Sequence, residues 1–171
     1  MGIKIILKRS EICIYVSHGL LLAGDMMKNK IEHVLEDQLC FLLYASSREM
    51  TKKYKPLLDK LDVTYPQYLV LLLLWEQDIL TVKKLGELLS LDSGTLTPML
   101  KRMEHNGLIE RKRSTQDERS VMIQLTEKGL GLQVEACFIP ERIADMSGKD
   151  KKTVEDLKAS LLQLLKTLEE F

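Results

Sequence analysis

The stretch of sequence that decides the fold runs from Thr81 to Leu125 and reads TVKKLGELLSLDSGTLTPMLKRMEHNGLIERKRSTQDERSVMIQL. Apolar residues recur at helical spacing over Val82–Leu89 and again over Gly94–His105, with a short turn between the two segments. Thr81 is placed to cap the first helix, and Asn106-Gly107 supplies the left-handed stop that ends the second. Two short helices joined by a turn of a few residues form a helix-turn-helix.

The hydrophobic period changes directly after the second helix. Leu108–Arg113 predicts a short strand, and Val121, Ile123 and Leu125 alternate with polar residues in a second strand. The charged, turn-forming residues 114–119 lie between them, so the two strands form a β-hairpin, the wing. The predicted fold is therefore mainly α with a small β-hairpin wing, a winged helix-turn-helix at about residues 64–125.

Longer helices are predicted on both sides of this unit. Residues 31–61 form an amphipathic helix that is broken or bent near Pro56, and Thr64 begins a helix whose run Tyr68–Trp75 is buried. Thr126 caps a helix that runs toward Pro140, and a last helix covers about residues 149–171. Its apolar stripe is Val154, Leu157, Leu161, Leu164, Leu165 and Leu168. That stripe packs either on residues 31–43 of its own chain or on a second chain, so residues 31–61 and 127–171 are predicted to form a dimerisation region.

Composition excludes several classes of protein. The 25 lysine and arginine residues equal the 25 aspartate and glutamate residues, so any basic surface must arise from local clustering. Three cysteines at wide spacing, without a Cys/His cluster, predict no metal site and no cofactor and fit a reducing cytoplasm. No apolar run reaches the roughly 20 residues of a membrane span. Residues 1–27 form either a small strand or a loosely ordered tail, and we expect the natural start at Met26 or Met27, with one domain over residues 28–171.

The second helix of the motif divides into an apolar and a polar face. Its core face is Leu96, Met99, Leu100 and Met103, and the first helix is expected to turn Val82, Leu85, Leu88 and Leu89 inward. The remaining residues, together with basic residues at the base of the wing, are candidate DNA contacts: Ser93, Thr95, Thr97, Lys101, Arg102, Arg111 and Arg113. Arg102 has the fork that reads guanine in the major groove. The sequence therefore predicts binding of duplex DNA.

Asp117-Glu118-Arg119-Ser120, together with Asp92–Thr97, resembles the MarR family of bacterial regulators. The resemblance covers residues 32–171 and implies an obligate homodimer that binds a pseudo-palindromic operator. It also implies that Asp117 pairs with Arg119, which enters the minor groove.

The segment Gln38–Glu49 resembles the OhrR subgroup, the repressors that sense organic hydroperoxides. The resemblance implies that Cys40 is the reactive cysteine and that Tyr54 and Tyr65 of the partner subunit hydrogen-bond it. Tyr44 lies one turn along the helix from Cys40. Oxidation gives a sulfenic acid, which either a low-molecular-weight thiol or a partner cysteine such as Cys137 traps. We expect mainly the first route, with Cys137 structural.

Other functions remain as alternatives at this point. A MarR-type repressor that responds to a phenolic ligand would not need Cys40. A thiol peroxidase would turn over at Cys40, although the sequence lacks a second catalytic constellation. A dimer that only mediates protein interactions would not bind DNA.

Overall fold

The chain is mainly helical, and a small antiparallel sheet accompanies its helix-turn-helix in this computed structural model. The structure describes residues 5–8, 11–14, 35–113, 120–146, 148 and 150–170. In chain order the elements are β1 (Ile5–Lys8), β2 (Glu11–Ile14), α1 (Leu39–Leu58), a 3-10 turn (Asp59–Leu61), α2 (Tyr65–Gln77), β3 (Ile79–Thr81), α3 (Val82–Leu89), α4 (Ser93–His105), β4 (Ile109–Arg113), β5 (Val121–Leu125), α5 (Glu127–Ala136), α6 (Ile139–Met146) and α7 (Lys151–Glu169).

The chain divides into two compact units, residues 1–46 and residues 47–171. In the first unit, β1 and β2 pair as an antiparallel hairpin, with Ile5 opposite Ile14. Of the two forms expected for this segment, a small strand or a loosely ordered tail, residues 5–8 and 11–14 take the strand form. The expected start at Met26 or Met27 lies outside the described residues and stays a prediction.

The predicted helix-turn-helix is confirmed in the second unit. α3 has the predicted bounds, and α4 begins one residue earlier than expected. The Thr81 side chain accepts a hydrogen bond from the backbone N–H of Lys84 and so caps α3. Gly107, at φ +70°, provides the left-handed residue after α4.

The wing contains one strand more than the sequence predicts. β3 pairs with β5, which also pairs with β4, so the sheet order is β3-β5-β4. Ile123 stands at the centre, opposite Leu80 on one side and Arg111 on the other. β3 is three residues long, too short for an alternating pattern to show. The sheet thus ties the wing to the residues just before α3.

The core of the second unit forms where the helix-turn-helix packs on α2 and on the sheet. The buried side chains include all four residues predicted for the core face of α4, together with Leu71, Leu74, Leu85, Leu108, Ile109 and Ile123. The prediction was wrong for Leu88, which is 42% exposed. Since each helical residue adds about 100°, Val82, Leu85 and Leu89 share one sector and Leu88 points about 90° away from its centre.

The flanking helices differ from the prediction in two places. α1 continues through Pro56 to Leu58 without a break, whereas the helix expected to run toward Pro140 ends at Ala136 and a new one begins at Ile139. Pro140 lies in the first turn of α6, where no backbone N–H is needed for the helical ladder. α7 is capped by Asp150, whose side chain accepts from the backbone N–H of Thr153.

Asp78 ends α2 in a conformation that disfavours a side chain, at φ 55° and ψ −54°. Because glycine lacks Cβ, we expect Asp78→Gly to raise the free energy of unfolding by about 1 kcal/mol, after its own entropy cost is deducted. Urea unfolding followed by the fluorescence of Trp75, the single tryptophan, measures this. The matched control is Glu76→Gly, two residues earlier within the helix, which should lose about 0.5–1 kcal/mol. A loss of stability in Asp78→Gly would contradict the expectation.

Candidate DNA-binding surface and redox site

The outer face of α4 carries the candidate contacts that the sequence assigns to it. Burial of its four apolar residues fixes the rotation of the helix against the core. Ser93, Thr95, Lys101 and Arg102 are exposed and Thr97 is half-buried. A polar surface with two cations therefore covers one side of a helix whose other side is anchored.

Asp92 organises the beginning of α4, a role that the sequence analysis did not assign to it. One carboxylate oxygen accepts from the backbone N–H of Thr95 at 3.0 Å, and the other accepts from the Thr95 hydroxyl at 2.8 Å. The hydrogen bond from the Thr95 side chain is the main reason that the pKa of Asp92 lies below its usual range. Because the Thr95 hydroxyl donates its proton to Asp92, that hydroxyl is left to accept a hydrogen bond from an incoming ligand.

A groove of about 940 Å³ separates α3 and α4 from the wing. Polar and cationic side chains from all three elements line it, including Lys83, Ser93, Thr97, Lys101 and Arg111. Lys83 was missed in the sequence because it lies on the first helix of the motif, outside the recognition helix. Its side chain is 88% exposed. Cations on both sides of one groove make it a favourable path for a phosphate backbone.

The basic residues of β4 differ in their surroundings. Arg111 Nε lies 3.0 Å from Glu104 Oε2 of α4, and Lys112 Nζ lies 2.8 Å from Glu110 Oε2. Lys112 is the main cause of a lowered pKa of Glu110. Arg113, the last residue of β4, is exposed. Arg111 therefore also joins the wing to the recognition helix, while Arg113 faces solvent.

Two of the predicted contacts, Asp117 and Arg119, lie outside the described residues. The described ends of the hairpin are Arg113 and Val121, which pair with each other across the sheet. This pairing fixes where the chain leaves the sheet and where it returns.

Cys40 is the second residue of α1, and its thiol is exposed. The backbone ladder begins next to it, because the N–H of Leu42 donates to the carbonyl of Gln38 at 3.0 Å. Tyr44 follows one turn later and is 58% exposed. An accessible thiol at such a place has the setting of a reactive cysteine.

The second unit brings Tyr54 and Tyr65 together, with ring centroids 4.7 Å apart. The ring centroid of Tyr68 lies 6.2 Å from that of Tyr54 and 6.3 Å from that of Trp75, so both rings extend the cluster. Burial, with Tyr65 as a smaller cause, raises the pKa of Tyr54. A phenol with a raised pKa stays protonated at neutral pH and can donate a hydrogen bond. Tyr68 was not singled out in the sequence because its position within an apolar run indicates only burial.

Cys137 follows the end of α5, and its thiol is exposed. Its sulfur lies 3.0 Å from the carbonyl oxygen of Val134, to which the thiol donates. Tyr68, Leu72 and Trp75 line the same shallow groove of about 290 Å³. The structural role expected for Cys137 stays a prediction.

Among the described residues, His, Cys, Asp and Glu form no group suited to hold a metal ion. The helices within the described ranges are also too short or too polar to cross a bilayer.

Comparison with known proteins identifies the class of this molecule. A family model described as transcriptional regulator SarA/Rot matches residues 52–134. The chain is 65% identical over 143 residues to the organic hydroperoxide resistance transcriptional regulator of Bacillus subtilis, covering 83% of this chain and 97% of that relative. A mutant MarR of E. coli complexed with operator DNA superimposes with a TM-score of 0.69 at 25% identity, covering 74% of this chain and 93% of that one. The chain belongs to the MarR family of transcriptional regulators.

AbfR of Staphylococcus epidermidis is a further similar structure. In its reduced form bound to DNA it matches with a TM-score of 0.67 at 35% identity, covering 86% of this chain and 96% of that one. It has also been solved overoxidised on DNA and, separately, with a disulfide formed. The comparisons confirm the predicted MarR family, the OhrR type and the winged helix-turn-helix. They also confirm a transcriptional regulator rather than an enzyme.

Proposed function

We propose that this MarR-family protein is a homodimeric repressor that releases its operator when organic hydroperoxide oxidises Cys40. The observation that carries the proposal is the exposed Cys40 thiol at the beginning of α1, in a chain closely related to a regulator of organic hydroperoxide resistance. As a regulator of genes the protein acts inside the cell, and the cytoplasm is the compartment that its sparse cysteines fit.

The DNA-reading part of the proposal rests on α4 and the wing. Lys101 and Arg102 are exposed on the outer face of α4, and Lys83 and Arg113 stand on neighbouring elements. Lys83 and Lys101 line one groove, so a chain with no net charge places cations where a phosphate backbone can run. α4 enters the major groove, and Arg119 with Asp117 acts at the minor groove.

The dimer rests on apolar surface that the single chain leaves uncovered. Exposed residues recur at helical spacing on three helices: Leu39 and Leu42 on α1, Leu130 and Val134 on α5 with Phe138 just beyond it, and Leu157, Leu161, Leu165 and Leu168 on α7. Exposed apolar stripes on several helices are typical of an interaction surface. A second copy covers them and places two copies of α4 on the two halves of a pseudo-palindromic operator.

The chemistry begins with the Cys40 thiolate. Its sulfur attacks the outer oxygen of the O–O bond, which releases an alcohol after protonation and leaves the cysteine as a sulfenic acid, a two-electron oxidation of sulfur. Tyr54 and Tyr65 of the partner subunit donate hydrogen bonds to the reacting sulfur, and Tyr44 contributes to the same pocket. A low-molecular-weight thiol then displaces water from the sulfenic acid and forms a mixed disulfide.

The solved states of AbfR support disulfide formation with a thiol as the step that causes release from DNA. That protein has been solved on DNA both reduced and overoxidised, and separately with a disulfide formed. A disulfide at Cys40 adds bulk at the start of α1, whereas extra oxygen atoms add little. The modified dimer then favours a spacing of the recognition helices that no longer fits the operator.

The direct test uses the wild-type protein and an operator selected from random-sequence DNA. Light scattering should give the mass of a dimer, and the selected site should contain two inverted half-sites. Cumene hydroperoxide with a small thiol should weaken binding at least about tenfold, because the oxidised dimer must differ in affinity to be released. A monomer, or an operator complex indifferent to the peroxide, would refute the proposal.

A further inference from the structure

The end of the recognition helix is fastened to the beginning of α5 by a compact set of contacts, which we call the α4–α5 joint (Asn106–Leu108 with Thr126–Gly129). The Thr126 hydroxyl donates to the carbonyl of Gly107 at 2.6 Å, and the Thr126 N–H donates to the carbonyl of Leu108 at 3.2 Å. Lys128 Nζ donates to the carbonyl of Asn106 at 2.9 Å. Three consecutive carbonyls at the end of α4 thus receive donors from the first residues of α5.

Gly129 allows this approach because it has no side chain. A Cβ built on Gly129 would lie 2.1 Å from the carbonyl oxygen of Leu108 and 3.1 Å from Leu125 Cδ2. The first of these neighbours is main chain, so it cannot turn aside as a flexible side chain would. Gly129 is buried, and its N–H donates to the Thr126 hydroxyl oxygen at 3.1 Å. The two elements therefore touch through their backbones.

A third element fixes the same point. The indole N–H of Trp75, on α2, donates to the carbonyl of Gly129 at 3.0 Å. α2 also packs into the core with Leu71 and Leu74, which are fully buried. The joint is consequently held from both sides, by the recognition helix and by the core helix.

α5 leads from this joint to the apolar stripe of Leu130, Val134 and Phe138, the surface assigned above to the dimer. We infer that Thr126 and Gly129 are positioning residues for operator binding. Their contacts set the angle between α4 and α5, the helix that leads to the dimer surface. The inference rests on the proposed function, because it assumes that two copies of α4 must meet one operator.

The geometry of two half-sites makes that angle important. α4 has 13 residues and is about 20 Å long, so a 10° rotation at the joint moves its far end by about 3 Å. The two recognition helices must match half-sites separated by about one turn of DNA. Base contacts tolerate less displacement than contacts to phosphates. Loosening the joint should therefore reduce operator affinity more than non-specific affinity.

The decisive comparison is between Thr126→Val and Thr126→Ser. Valine keeps the shape of threonine but loses the donor to Gly107 and the acceptor for Gly129, whereas serine keeps both. Gly129→Ala is a second, independent variant that forces the backbones apart. Each full-length protein is titrated against the selected operator duplex and against a scrambled duplex of equal length. Active fractions come from stoichiometric titration, and Trp75 fluorescence reports folding.

Thr126→Val should lose roughly tenfold in operator affinity, the size expected when a residue within a coupling network is changed, with scrambled-duplex affinity unchanged and Thr126→Ser close to wild type. Folded Gly129→Ala should lose at least as much; if it does not fold, the Thr126 pair decides. Equal operator affinity in Thr126→Val and wild type would overturn the inference, as would an equal loss on both duplexes. A wild-type protein that does not prefer its selected operator would instead refute the proposed function, and the inference with it.

Discussion

Cys40→Ser should bind the operator with the affinity of the wild-type protein and keep that affinity when organic hydroperoxide and a small thiol are added. A serine hydroxyl is close in size to a thiol, so α1 is expected to begin as before. The serine hydroxyl, however, does not ionise at neutral pH to give a nucleophile like the thiolate. The variant also has no sulfur at this position to form a sulfenic acid or a disulfide. The wild-type protein under the same treatment should lose at least about tenfold in affinity. Fluorescence anisotropy of a labelled operator measures both.

Cys137→Ser is the matched control for this prediction. Cys137 is also an exposed thiol, but its sulfur is engaged with the Val134 carbonyl at the end of α5. We expect this variant to respond to peroxide as the wild type does. If Cys137→Ser lost the response together with an intersubunit disulfide, Cys137 would be the resolving thiol. If Cys40→Ser still released DNA, the protein would sense a ligand instead, as a phenol-responsive repressor does.

Arg119→Ala should weaken operator binding by about 100-fold. In the proposed dimer each subunit contributes one arginine, and a loss of about 1.4 kcal/mol per contact corresponds to tenfold for each half-site. An arginine in a narrow minor groove is favoured by the concentrated negative potential there. Equilibrium titration at fixed salt gives the affinity, and titration at several salt concentrations gives the electrostatic contribution.

Lys112→Ala removes one positive charge from the same wing and is therefore the control for net charge. The Lys112 ammonium already lies beside the carboxylate of Glu110, so we expect its loss to change affinity less than about threefold. An equal effect of the two substitutions would mean that only charge matters. Operator affinity of Arg119→Ala near that of the wild type would argue against a minor-groove contact.

The helix-turn-helix could be predicted because its signals are local. The periodicity of Leu96, Met99, Leu100 and Met103, the cap at Thr81 and the stop at Gly107 each depend on neighbouring residues. These signals agree with one another, which is what makes a short segment fold one way. The rotation of α4, and hence its outward side chains, follows from the same pattern.

The remaining features depend on contacts between distant residues. Arg111 has the charge of a DNA contact in the sequence, but the turn at Gly107 brings it back to Glu104. Tyr68 lies in an apolar run that predicts burial, although only the folded core shows its place in the aromatic cluster. The hydrogen bond from Trp75 to Gly129 spans 54 residues. None of these pairings has a local sequence pattern.

The α4–α5 joint has a consequence for how such a regulator can change its target. On the α4 side, every hydrogen-bonding partner in the joint is a backbone carbonyl, from Asn106 to Leu108. The side chains on the outer face of α4 take no part in it. Substitutions there can redirect the protein to a different operator while the attachment of the helix stays the same. New DNA specificity can thus be acquired, by evolution or by engineering, without rebuilding the attachment of α4 to α5.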